Sequence, residues 1–88
     1  MASLIIPEGL QQFTNSQARL NLAVTNINEL EEMISELFPR LYDVIFYEGK
    51  LRPFVRIVVN NQLIDDLEES MNFTDNDRIE LLVAVSGG

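Results

Sequence analysis

Histidine and cysteine are both missing from this 88-residue chain. Without histidine, the usual side chain for proton transfer near neutral pH is gone, and with it most general acid–base chemistry. Without cysteine there is no thiolate nucleophile, no disulfide and no zinc cluster of the Cys/His type. Cations are also scarce: six Lys and Arg stand against fourteen Asp and Glu, for a net charge of −8. Such a surface repels a phosphate backbone, so nucleic acid is not an expected partner. The acidity either keeps a small protein in solution or steers it toward a positively charged groove on a protein partner. Long apolar runs are absent as well. The N-terminal Leu4-Ile5-Ile6 has no basic stretch before it, so neither a signal peptide nor a membrane span is expected, and the cytoplasm is the expected compartment. No Gly-rich phosphate loop followed by Lys is present either, so nucleotide chemistry would have to come from another protein.

What remains is globular. The chain is 47% hydrophobic and 23% charged, with only four Gly and three Pro. Its length allows one domain, assigned to residues 1–85, with 86–88 as a flexible Ser-Gly-Gly tail. Stability on the order of 5 kcal/mol is expected of a core this small. Residues 3–13 read as a strand interrupted near Pro7, because proline removes a ladder donor. Thr14-Asn15-Ser16 is a turn by composition, and Gln17 to Val24 alternates as a half-buried strand with Leu20, Leu22 and Val24 on one side.

The helix signal is the firmest. Asn26 can cap, Glu29 can reach back to the cap amide, and Ile27, Leu30, Met33, Ile34, Leu37 and Phe38 recur at helical spacing. Pro39 stops the run, because it disfavours the helical conformation of its predecessor. Arg40 to Phe46 reads as a further short helical turn and Tyr47 to Lys50 as a loop. Phe54 to Asn60 is a strand, Asn60-Asn61 a hairpin turn, Gln62 to Ile64 a short return strand and Arg78 to Val85 a last strand. Asp65 to Phe73 reads as irregular, and Thr74 to Asp77 as a polar turn. One helix covering one face of a mixed sheet of four to five strands makes an α+β two-layer domain.

The feature that carries chemistry is the sequence Ser86-Gly87-Gly88 after the last strand. Two glycines without Cβ atoms make a thin tail that a narrow groove can accept. A carboxylate at its end becomes reactive only when its oxygen is turned into a leaving group, as in a mixed anhydride with AMP. Val58 and Leu82, at outward positions of two strands, and Ser86 are candidates for docking such a partner. Ordinary burial of both sheet faces is the competing account of Val58 and Leu82.

Three segments resemble the ubiquitin-like sulfur carriers, the ThiS/MoaD family, across nearly the whole chain. They are Asn-Ile-Asn-Glu-Leu-Glu-Glu-Met-Ile-Ser-Glu-Leu-Phe-Pro at 26–39, Arg-Pro-Phe-Val-Arg-Ile-Val-Val-Asn at 52–60 and Thr-Asp-Asn-Asp-Arg-Ile-Glu-Leu-Leu-Val-Ala-Val-Ser-Gly-Gly at 74–88. Asn76 stands where the family turn has Gly, a replacement that fits if its φ is positive. The 40–52 loop makes the chain more like the molybdopterin-type and cysteine-biosynthesis-type carriers. The resemblance implies a β-grasp fold and a carrier that is not itself an enzyme. An adenylating enzyme of the ubiquitin-activating type would charge Gly88 with ATP and magnesium, and Gly87 would give access. A sulfur donor protein would then convert the acyl group to a thiocarboxylate for a downstream synthase. A metalloprotease would expose the glycines in carriers made with residues beyond them. No cofactor would be bound by the carrier itself. A ubiquitin-like modifier joined to lysines through the same glycine is the alternative, and a binding module with an inert tail is a third.

Other groupings weigh less. Asp65, Asp66, Glu68 and Glu69, and Asp75 with Asp77, lack the converging oxygens and Gly of a calcium loop and read as solvated acids. Arg40, Lys50, Arg52 and Arg56 read as balancing acids rather than touching a partner.

Overall fold

Among the described residues, seven strands and two α-helices follow in the order β1 (Ala2–Ile5), β2 (Arg19–Leu22), α1 (Ile27–Leu37), α2 (Pro39–Ile45), β3 (Phe46–Tyr47), β4 (Lys50–Leu51), β5 (Val55–Val59), β6 (Gln62–Ile64) and β7 (Arg78–Val83). They come from a computed structural model that describes residues 1–64 and 72–84. Five strands form one mixed sheet in the order β2-β1-β7-β5-β6, while β3 and β4 form a separate hairpin. Among the described strands of this sheet, the central β1–β7 pair is parallel and the other pairs are antiparallel. The expected α+β architecture, with a five-stranded sheet and one main helix, is the observed one.

Strand alternation decides what is buried. Leu4, Leu20, Leu22, Val55, Ile57, Ile79 and Leu81 project into one core with Leu30 and Ile34 of α1 and Leu41 and Ile45 of α2. Leu4, Leu30, Leu41, Ile45 and Ile79 have no exposed surface. Removing these side chains from water is the main favourable term in folding. The stripe predicted for α1 is narrower than expected. Leu37 keeps 52% of its surface, and Met33 and Phe38 are half-buried, because the chain turns into α2 there.

Both ends of α1 follow from their residues. Asn26 is extended, and its side-chain oxygen accepts the Glu29 amide at 2.8 Å. Glu29 reaches back one residue further than expected, accepting the Thr25 amide and hydroxyl, each at 2.7 Å. The Thr25 hydroxyl, then its amide, holds the Glu29 carboxyl below the usual carboxylate range. Pro39 ends α1 and also begins α2, where a missing N–H has no consequence. The single helical turn expected after it is thus a seven-residue helix.

The largest departure is at residues 3–13. The strand stops at Ile5, although the Ile6 amide still donates to the Ala18 carbonyl. From Glu8 to Phe13 the chain is a 3-10 helix that buries Leu10. Pro7 cannot extend the ladder, but its carbonyl accepts the Leu10 amide and opens this helix. The turn that follows is fixed by buried Thr14, whose hydroxyl donates to the Gln17 carbonyl at 2.8 Å, with Asn15 and Ser16 at φ 54 and 65.

The predicted loop at 47–50 is the tip of the β3–β4 hairpin, with Glu48 and Gly49 at φ 50 and 76. Asn60 and Asn61, at φ 50 and 70, make the expected two-residue turn between β5 and β6. Asn76 differs from expectation: its φ is not positive. The Thr74–Asp77 turn is closed instead by the Asp77 carboxylate accepting the Thr74 amide and the Asp77 amide donating to the Thr74 carbonyl. The acids expected at 65–69 lie outside the described residues.

Candidate functional site

The start of β7 lies between β1 and β5, whereas its end, Leu81 to Val83, pairs with β5 and carries the last described contacts before the tail. Val83 lies opposite Val55, and the Ala84 amide donates to the Phe54 carbonyl at 2.8 Å. Phe54 belongs to a tight turn in which the Val55 amide donates to the Arg52 carbonyl, so residues 52–55 flank the exit. Ser86, Gly87 and Gly88, named from sequence as docking and reactive positions, lie outside the described residues, as does Val85.

Register places the other two candidates on the sheet face away from the helices. Val58 is half-buried opposite Glu80 and Leu63, whereas Leu82 is 45% exposed opposite Arg56. They sit diagonally on neighbouring strands, within reach of one another along one face. The structure adds two residues that sequence reasoning did not select: Leu63, 52% exposed beside Val58, and Phe54, 41% exposed beside Ala84. Both were accessible by counting. Phe54 shares the parity of Arg56 and Val58, and a two-residue turn at Asn60-Asn61 puts Leu63 opposite Val58. Together Phe54, Leu82, Val58 and Leu63 form an apolar strip leading to the tail exit. At the strip's other end, Arg78 pairs with Glu80 at 3.3 Å.

On the opposite side of the exit lies an open concavity of about 680 Å³, lined by residues of α1, the β3–β4 hairpin, β5 and β6. Lys50, Arg52 and Pro53 form its wall next to Val55, the residue paired with the tail root. Arg52 donates two hydrogen bonds to the Asp43 carbonyl, at 2.9 and 3.2 Å, and lies 5.2 Å from the Tyr47 ring centre. Arg40 stands apart from this group, over the Phe13 ring at 5.3 Å. The four basic residues grouped in sequence are therefore not one cluster.

Of the acids considered as metal ligands, the described Asp75 and Asp77 each have other partners. Asp75 pairs with the N-terminal amine at 2.9 Å. Asp77 accepts from the Asn60 side chain and the Thr74 amide, each at 2.8 Å, while the Asn60 oxygen accepts the Arg78 amide. The Asn60 amide, then the Thr74 N–H, holds the Asp77 carboxyl below its ordinary range. This network ties two turns together at the end of the sheet remote from the tail. Among the described residues, no helix is long and apolar enough to cross a membrane.

A five-stranded mixed sheet grasping one main helix, with its last strand at the centre and leading directly into the tail, defines a ubiquitin-like β-grasp domain. The ThiS family model matches residues 4–88, and the chain belongs to that family of ubiquitin-like sulfur carriers. Solved structures agree on the fold. The chain is similar to one in the crystal structure of the Amycolatopsis orientalis BexX/CysO complex, at 22% identity and a TM-score of 0.85, covering 100% of both chains. It is similar to Mycobacterium tuberculosis CysO at 20% identity and a TM-score of 0.82, covering 97% of this chain and 100% of that one. Small archaeal modifier protein 1 from Methanosarcina acetivorans is 26% identical with a TM-score of 0.79, over 99% of this chain and 95% of that one. No curated protein matches the sequence.

Proposed function

We propose that this protein is a sulfur carrier whose Gly88 carboxylate is adenylated by a ubiquitin-activating-like enzyme and then converted to a thiocarboxylate. The observation that carries the proposal is that a central strand is fixed at Val83 and Ala84, shortly before the Gly87-Gly88 pair in the sequence. Membership of the ThiS family supports the same reading.

The chemistry follows from the tail's carboxylate. One oxygen attacks the α-phosphorus of ATP bound with magnesium on the partner, and pyrophosphate leaves. The terminal sulfur of a donor persulfide then attacks the acyl carbon. A C–S bond forms, the C–O bond breaks, and AMP departs. A thiol takes the donor's remaining sulfur as a disulfide, leaving the thiocarboxylate on Gly88. That group is the nucleophile delivered to a downstream synthase. Where residues follow Gly88 in the primary product, a metalloprotease would expose it first. The carrier supplies no acid, base or resident cofactor, only an accessible acyl end and a docking body.

Phe54, Val58, Leu63 and Leu82 serve as that docking surface, with Ser86 entering the partner's channel. Similarity to a small archaeal modifier protein favours a second reading, in which the same activated glycine forms an amide with a lysine of a target protein. Both readings share the adenylation step.

The test is ATP–pyrophosphate exchange by the cognate activating enzyme with this chain as the acyl substrate. Exchange is expected with the full chain and lost when Gly88 is deleted, since the carboxylate then retreats by about 3.5 Å. Leu82→Asp is expected to raise KM about tenfold, corresponding to ~1.4 kcal/mol of lost docking energy. Exchange that persists without Gly88 contradicts the proposed reactive centre. An unchanged KM for Leu82→Asp contradicts the docking strip.

A further inference from the structure

The charge on this molecule is unevenly placed. Three of its six basic residues, Lys50, Arg52 and Arg56, fall within seven positions beside the tail exit, while fourteen acids are spread over the rest. On α1, Glu29, Glu32 and Glu36 line the exposed face. The sequence suggests that the cations balance acids, but the structure arranges two of them otherwise. Among the described residues, no carboxylate pairs with Lys50 or Arg52, and the ion pairs that form lie elsewhere, at Met1–Asp75 and Arg78–Glu80. Arg56 is engaged in an interaction of its own.

Lys50 is exposed at the start of β4, and its neighbour Arg52 is held in place rather than left to wander. Arg52 spends its donors on the Asp43 carbonyl and stacks over Tyr47, which fixes a full positive charge without neutralising it. The same residue begins the turn that ends at Val55, opposite Val83. Among the described residues, two cations without a paired carboxylate thus stand beside the end of β7, next to the exposed Phe54 end of the apolar strip, with Glu31 sharing the concavity they line. An apolar patch bordered by charge has the layout of a protein interface, with a dry centre and a polar rim.

We propose that Lys50 and Arg52 form a cationic collar that docks against an acidic rim around the channel that receives the tail. The inference rests on the proposed function, because it specifies the surface of the partner in that reaction. The collar acts on the rim and not on the nucleotide. When the tail is threaded, residues 85–88 carry the acyl end up to about 14 Å past Ala84. That exceeds the screening length of roughly 8 Å at physiological ionic strength.

Charge reversal gives opposite signs for the two accounts. If the collar meets an acidic rim, Lys50→Glu raises KM for the carrier in ATP–pyrophosphate exchange, roughly tenfold at low salt and less at high salt, with kcat unchanged. If the acidic body instead meets a positive groove at this end, Lys50→Glu adds a favourable charge and lowers KM. Arg52→Gln is added in a double variant, expected to raise KM further. Since Arg52 also bonds the Asp43 carbonyl, cooperative thermal unfolding of the double variant is checked first, and if it fails the single variant decides. A KM that is unchanged or lowered by Lys50→Glu overturns the collar. Absence of exchange with the unaltered chain overturns the proposed function instead.

Discussion

Asn26 makes the clearest case at the scale of single residues, because one side chain satisfies an amide that helix geometry leaves without a partner. Asn26→Ala is expected to lower stability by about 1 kcal/mol, read as a shift in the urea midpoint. Asp77 gives a prediction with a pH signature. Its carboxyl is held below the ordinary 3.8, so the folded state binds a proton less readily than the unfolded one. Its contribution is therefore present above the unfolded value and lost as pH falls through the depressed folded value. Asp77→Asn should destabilise the protein at neutral pH, and the gap between variant and parent should close in acid. Urea midpoints at the two conditions measure it, and a gap that stays constant with pH would contradict the assignment. Tyr42 points the other way. Its hydroxyl donates to Glu31 at 3.0 Å, and that bond raises its pKa above 10.0, so its contribution holds below that value and is lost in strong alkali.

Among the elements, the β5–β6 hairpin depends most directly on turn chemistry. Asn60 and Asn61 both occupy the left-handed region, which asparagine tolerates and β-branched residues do not. Asn61→Val should cost about 1–2 kcal/mol in a denaturation experiment, while Asn61→Gly is tolerated. This turn was legible in the sequence, as were α1 with its cap and the alternating strands, because each rests on local rules. The misjudged elements depend on contacts beyond their own neighbourhood. Residues 8–13 look like a strand until Leu10 is seen entering the core and Gln11 donating to the Ile6 carbonyl. Leu37 fits the helical stripe by spacing, yet the turn at Pro39 carries α2 away from it. Asn76 would stand in for the family's glycine only at positive φ; its φ is not positive, and the Asp77 carboxylate closes that turn without it. The candidate site was half legible. Val58 and Leu82 came from alternation on single strands, while Phe54 and Leu63 required cross-strand register. Lys50 and Arg52 required knowing that the β3–β4 hairpin lies beside the end of β7.

Taken whole, the molecule separates its tasks along the sheet. One end is locked by the Asn60–Asp77–Arg78 network, and at the other the end of β7 lies beside the apolar strip, with exposed Lys50 and the held Arg52 nearby. Acidic residues cover the helical side, so orientation toward a partner is written into the charge distribution. In the proposed function, the β-grasp body carries the docking energy and the glycine tail is the part that enters another protein's active site. The central claim is the thiocarboxylate, and intact mass spectrometry of the protein incubated with its activating enzyme, ATP, magnesium and a persulfide donor tests it most directly. The account predicts a species heavier than the free acid by the difference between sulfur and oxygen, absent without ATP and absent when Gly88 is deleted. Recovery of only the free acid after AMP has been released, or of lysine-linked conjugates in its place, would contradict it.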